Sequence, residues 1–170
     1  RSMPMESVIA HLQKLNSKGY KEAILTGIHL GAYGIDFQNS TNLTSLLKKL
    51  KEIRPIHRVR LSSIEPKELT SSIIDMAAED NFLCDHFHVP LQSGDDEILR
   101  MMKRPYDTKL FEELIYDIKL KHPFGAIGVD ILVGFPGESD KAFENSYKII
   151  EKLPITYLHV FPFSPRRGTP

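Results

Sequence analysis

The sequence predicts an α/β fold assembled as a partial (β/α) barrel or as an open parallel sheet, and three observations carry that expectation. Short apolar runs alternate with longer amphipathic runs from one end to the other. Strand starts fall roughly 30 to 40 residues apart, the distance that a helical crossover between parallel strands needs. Each predicted strand also ends in glycine or in hydrogen-bonding residues, while the opposite ends begin mostly with charged or turn residues. A closed eight-stranded barrel takes about 250 residues. This chain has 170, and its five predicted strands leave a partial barrel or a doubly wound open sheet.

The elements follow in order. Met5, Val8, Ile9, Leu12 and Leu15 recur at helical spacing, and Gly19 is a favoured stop. A first strand runs from Ala23 to Ile28 into a glycine-bearing loop. Leu43, Leu46, Leu47, Leu50 and Ile53 mark a second helix, and "RVRLSSIEP" a second strand ended by Pro66. Because proline is tolerated in a first helical turn, the third helix is expected to start at Pro66. "DHFHVPLQSG" reads as the third strand, with a short helix at 95–102 after it. Leu110, Leu114 and Ile118 form the stripe of the next helix behind an Asp107 cap. "GAIGVDILVGFPGE" is the fourth strand, Ser139 to Leu153 another helix, and "TYLHVFPFSP" the fifth strand.

Composition narrows the function. Basic and acidic residues balance at 22 each, so no global field attracts a nucleic acid or an anionic membrane. A single cysteine, Cys84, excludes an internal disulfide framework and fits a reducing, cytoplasmic setting. No apolar run approaches the roughly 20 residues that cross a bilayer, so no membrane partner is expected.

Ligands of parallel sheets collect at the carboxyl ends of the strands. There the chain offers Thr26, Gly27 and His29; then Ser62, Ser63 and Glu65; then Gln92, Ser93 and Gly94. Asp130 lies within the fourth strand and Gly134 beyond it, and Ser164, Arg166 and Arg167 follow the fifth. Such a rim suits a polar small molecule. His88 and His159 read as packed strand residues, His29 as a satisfied loop histidine, and Cys84 as a small buried hydrophobe. Asp130 is harder to place, since an unpaired carboxylate in an apolar run costs several kcal/mol. No dinucleotide fingerprint, phosphate-loop lysine, nucleophile elbow or zinc helix is present.

Together, "LTGIHLGAYG", "RVRLSSIEP", "HVPLQSGDDEILRMMKRPY", "GVDILVGFPGE" and "HVFPFSPRRGTP" resemble the radical S-adenosylmethionine (SAM) methylthiotransferases in order and spacing. "SSIEP" looks most like the branch that methylthiolates N6-threonylcarbamoyladenosine in tRNA. The resemblance implies a six-stranded partial barrel holding SAM and a [4Fe-4S] cluster. The cluster's Cys-x3-Cys-x2-Cys loop follows a first strand that this segment lacks, so residues 1–170 are expected to be an incomplete and inactive core. The N-terminal cluster domain and the RNA-binding C-terminal domain are then expected outside it. The implied chemistry is a 5′-deoxyadenosyl radical acting at C2 of a tRNA adenosine.

The same resemblance implies roles. Thr26, Gly27 and His29 stand at the methionine amino group, Ser63 and Glu65 at the ribose and methionine portions, and Arg104 at the methionine carboxylate. Gln92 and Ser93 face the cofactor or the substrate adenosine. Asp130 and Gly134 belong to the strand flanking adenine and ribose, Phe161 lies along the adenine, and Ser164 and Arg166 close the mouth. Two other readings stay open: a cluster-free aldolase or isomerase working through Asp130, Glu65 and a histidine, and a non-catalytic barrel module. An unpaired leading edge strand also suggests self-association.

Overall fold

The computed structural model describes residues 1–166 and 168, so Arg167 lies outside the described residues. Eleven helices and strands alternate: α1 (Met5–Ser17), β1 (Glu22–Leu25), α2 (Leu43–Ile53), β2 (Arg58–Leu61), α3 (Ser71–Glu79), β3 (His86–His88), α4 (Asp96–Met101), α5 (Thr108–Lys121), β4 (Ala126–Val133), α6 (Asp140–Lys152) and β5 (Tyr157–Pro162). A 3₁₀ turn at Leu30–Ala32 interrupts the glycine-bearing loop after β1.

All strand pairs are parallel, with β1 on β2 and β3–β4–β5 in sequence. The two ladders are joined where Val59 N–H donates to Phe82 O (2.7 Å), Cys84 N–H to Val59 O (2.8 Å) and Ile64 N–H to His88 O (3.0 Å). Spatial order therefore repeats chain order, 1-2-3-4-5, without the reversal that defines a doubly wound sheet. That decides between the two expected architectures in favour of the partial barrel. Among the described residues β1 pairs only with β2.

Alternation along the strands explains the layering. Val59, Leu61, Phe87, Val89, Ile127, Val129 and Ile131 are buried in one core cluster with Leu46, Leu47 and Leu50 of α2, Ile73 and Ile74 of α3, and Phe111, Ile115 and Ile118 of α5. With a side-chain period of two, their neighbours point to the opposite, open face. Those neighbours are mostly polar, Glu22, Arg60, His86, His88, Asp130, Tyr157 and His159, with Ile24, Leu132 and Phe161 the apolar members. A sheet covered by helices on one side and lined with polar groups on the other is a barrel wall.

Several boundaries move. The third helix begins at Ser71, not Pro66. Pro66–Glu68 form a turn, with Glu68 N–H on Glu65 O (2.9 Å), and Thr70 is extended before the helix starts. Regular β3 pairing stops at His88 because Pro90 has no N–H to give. The chain nevertheless runs on beside β4, through Val89 N–H to Gly128 O (2.9 Å) and Leu91 N–H to Asp130 O (3.1 Å). The cap at Asp107 matches expectation, its side chain accepting from Leu110 N–H, and Ser139 caps α6 in the same way by accepting from Ala142 N–H.

Candidate functional site

Two polar groups occupy the rim and the open face. The first is a cleft of about 730 Å³ beyond the carboxyl ends of β1 and β2, lined among others by Thr26, Gly27, His29, Ser63, Glu65 and Arg104. Its size is within the range of small-molecule sites. Across it Arg104 Nη1 donates to Glu65 Oε1 at 2.9 Å. Both side chains are about three-quarters covered, at 30% and 24% exposure. Their remaining atoms are conspicuous: Glu65 Oε2 and Arg104 Nε are buried without a hydrogen-bond partner, as is Glu68 Oε2. Glu68 Oε1 meets His29 Nε2 at 2.6 Å, which makes His29 the satisfied loop histidine that was expected.

Unpartnered buried polar atoms are costly and call for an explanation. A guanidinium edge and two carboxylate oxygens around one cleft match a ligand carrying both an anionic and a cationic group. An α-amino acid terminus is such a ligand, since arginine grips a carboxylate with two parallel bonds.

The second group lies on the strands themselves. Register sets Asp130 of β4 beside His159 of β5. His88, on β3, is opposite Gly128, two residues before Asp130. Asp130 Oδ1 meets His88 Nε2 at 2.7 Å and His159 Nδ1 at 3.1 Å. His88 Nδ1 lies 3.3 Å from Ser63 Oγ, tying this group to the cleft. The aspartate thus has its partners, and they are the two histidines expected only to pack. Tyr157 packs beside both rings, with its hydroxyl 2.8 Å from His86 Nε2. It can lie there because residue 128 is glycine: a Cβ at 128 would fall 2.1 Å from the tyrosine ring. Burial, reinforced by the positive charge of Arg60, pushes the His86 pKa down, and burial pushes that of Tyr157 up.

Other expected site residues lie elsewhere. Ser93 is fully buried. Its hydroxyl accepts from Asp95 N–H (3.2 Å) and lies 3.4 Å from Ser146 Oγ. Gly94 N–H donates to Ser146 Oγ at 2.8 Å. The adjacent Asp95 caps α4 through Glu97 and Ile98 N–H and accepts from Asn145. Burial opposes ionisation of Asp95, but the bonds from Asn145, Ile98 and Glu97 outweigh it and hold the pKa below the usual carboxylate range. "SGD" therefore fastens the end of β3 to α6. Gln92 is in the left-handed region at φ 68°. Its N–H and that of Leu91 both reach Asp130 O, a local bulge where the strand turns outward. Gly134 takes φ 75° after β4 with its N–H on Glu138, and Ser164 and Arg166 are exposed beyond β5, whereas Phe161 stands on the open face itself, its ring centroid 6.3 Å from that of His159.

The aldolase reading needs Glu65, Asp130 and a histidine to act together. Glu65 is committed to Arg104 and Asp130 to the histidines, in two separate hydrogen-bonded groups. The chain has a single thiol, that of Cys84, too few for the three thiolates of the expected cluster, and burial pushes its pKa up. Among the described residues no helix is long and apolar enough to cross a membrane.

Comparison with known proteins identifies the family and the fold. The threonylcarbamoyladenosine tRNA methylthiotransferase of Aquifex aeolicus is 38% identical over 99% of this chain and 41% of its own length. That of Bacillus subtilis is 39% identical over 100% of this chain and 38% of its length. The tRNA-2-methylthio-N(6)-dimethylallyladenosine synthase of Clostridium botulinum (strain Hall) is 38% identical over 100% of this chain and 38% of its length. The chain thus spans about two-fifths of the relatives it matches. Coproporphyrinogen III oxidase from Escherichia coli, a radical SAM enzyme, superposes with a TM-score of 0.67 over 94% of this chain and 37% of its own, at 14% identity, a likeness of fold alone. The family model described as "Radical SAM superfamily" matches residues 1–150, and the chain belongs to that superfamily.

Proposed function

We propose that this chain is the cofactor-binding core of a radical SAM methylthiotransferase that acts on a hypermodified adenosine in tRNA. Within that class we favour N6-threonylcarbamoyladenosine, on the "SSIEP" segment and on the likeness to the Aquifex aeolicus and Bacillus subtilis threonylcarbamoyladenosine enzymes. One observation carries the cofactor part: the Glu65–Arg104 pair keeps an unpartnered oxygen and an unpartnered N–H buried at the cleft.

These residues fit the amino acid end of SAM. Arg104 would take the carboxylate, Glu65 and Glu68 the ammonium group, and Ser63 a ribose hydroxyl. Thr26 and Gly27 would let the ligand approach the backbone closely. When bound beside an iron–sulfur centre, SAM supplies the radical chemistry that gives the superfamily its name. What these side chains do is orient it, and a misplacement of about 1 Å can cost a hundredfold in rate. The [4Fe-4S] cluster does not fit this segment: the sequence has one cysteine, so three thiolate ligands cannot come from it. The contacts offered here cover only the amino acid and ribose parts, so affinity in the chain alone is expected to be weak.

Titration of the 170-residue chain with SAM, followed by amide chemical shifts at millimolar ligand, tests this reading. Saturable shifts at Gly27, Glu65 and Arg104, lost in Arg104→Ala, are expected. Shifts confined to another surface, or none at all, would overturn it.

A further inference from the structure

We propose that His88 Nε2, Asp130 Oδ1 and His159 Nδ1 form a site for one divalent transition-metal ion of the zinc type, on the open face of the sheet. Two imidazoles and one carboxylate are a donor set that zinc and its neighbours in the first row favour, with at least one coordination position left to water or substrate.

Four observations support it. The three donor atoms lie within 4.8 Å of one another and come from three successive strands of one sheet. Strand-borne ligands are held more rigidly than loop-borne ones. The Asp130 carboxylate has no lysine or arginine partner within ion-pair distance among the described residues; its two ion-pair contacts are these histidines. His88, the more covered ring, is also held from behind, its Nδ1 3.3 Å from Ser63 Oγ. That outer hydrogen bond fixes the ring and leaves Nε2 for the metal. Finally, the group is reachable, since His88 and Asp130 are 15% and 16% exposed and His159 is 49% exposed.

The adjustment needed is small. Ligand atoms around a tetrahedral ion with bonds of about 2.0–2.1 Å stand about 3.3 Å apart. Asp130 Oδ1 is already 3.1 Å from His159 Nδ1 and 2.7 Å from His88 Nε2. An ion would displace the protons now shared across these contacts, move Asp130 Oδ1 away from His88 Nε2 by about 0.6 Å and from His159 Nδ1 by about 0.2 Å, and hold the two histidine nitrogens, which lie within 4.8 Å of each other, on either side of it. The Tyr157 ring, packed edge-on to His88 and tilted against His159, gives the site one apolar wall.

The test needs neither SAM nor turnover, so its outcome is independent of the cofactor reading above. The chain, stripped with chelator, is titrated with Co²⁺ by visible absorption and with Zn²⁺ by calorimetry. A one-to-one isotherm and a ligand-field band are expected. His159→Gln, on the edge strand and half exposed, should abolish both while leaving the far-ultraviolet circular dichroism unchanged. Ser63→Ala should weaken binding about tenfold. His57→Gln, at an exposed histidine outside the group, should change nothing. Absence of a saturable site, an isotherm unchanged by His159→Gln, or loss of binding in His57→Gln would each overturn the proposal and leave a triad that holds only protons.

Discussion

The cleft and the open face are built from the same kinds of side chain, yet they are made in different ways. Glu65 and Arg104 stand on loops, 39 residues apart, and keep buried atoms without partners. His88, Asp130 and His159 stand on neighbouring strands, and ladder register brings them together. A loop-built pair with spare valences is arranged for something that arrives. A strand-built group with its bonds made contributes to the wall that holds it. Substitutions in the cleft should therefore change SAM binding more than stability, and substitutions where the strands pack tightly, at Gly94 and Gly128, should do the reverse.

The largest effect is expected where β3 leaves the sheet. A Cβ on residue 94 would lie 2.5 Å from Ser146 Cα and 3.0 Å from its N, both backbone atoms of α6 that cannot step aside. Gly94→Ala should lower stability by about 3 kcal/mol, as overpacking of a tight contact does. Urea unfolding measures it, and a loss under about 1 kcal/mol would mean that α6 is free to shift.

At Gly128 the obstacle is a side chain and the outcome differs. Gly128→Ala forces the Tyr157 ring off β4 and breaks its bond to His86. A loss of about 2 kcal/mol is expected from the hydrogen bond and ring packing together. In Tyr157→Ala the same glycine substitution should cost much less. A double-mutant cycle checks this, and additive losses would show that the ring is not the obstacle.

Arg104→Ala provides the contrast. It leaves Glu65 half paired, but water reaches both groups, so the loss should be no more than about 1–2 kcal/mol after screening. SAM-dependent shifts should nonetheless vanish. Arg104→Lys should not restore them, because an ammonium lacks the planar fork. If stability falls like that of Gly94→Ala while SAM shifts persist, the two regions have been assigned the wrong way round.

How far the sequence revealed this follows the same division. Alternating patterns located all five strands and six helices, because period and caps are local properties. Asp107 was readable as a cap for that reason. The start of α3 was not, since a turn at Pro66–Glu68 and a helix can both begin with proline. Asp130 announced that it needed a partner, but its partners are 42 and 29 residues away. A local signal did exist: His86 and His88, like Tyr157 and His159, are two apart and so share one strand face. Only the register shows that these faces coincide. Ser93 and Gly94 looked like ligand-facing groups because polar residues at strand ends often are. Their contacts with α6 depend on a helix some 50 residues on, which no local pattern encodes.

The smallest effect expected is a dependence on pH, and it separates two parts of the open face. Burial holds the folded-state pKa of His86 below its ordinary value, so the unfolded chain takes up a proton that the folded chain resists. Stability is then unaffected at pH above about 6.5 and falls as the pH drops from there toward the depressed value. Glu22 works from the opposite side. The Arg60 guanidinium, and Arg58 with it, outweighs burial and holds the Glu22 carboxyl below its usual range. The stability it gives is present above about pH 4.3 and is lost as the pH falls through the lower folded value. Urea midpoints across this range should show two successive declines. His86→Gln should remove the first and leave the second, and Glu22→Gln should do the converse. Retention of the upper decline in His86→Gln would show that the buried imidazole of His86 is not its source.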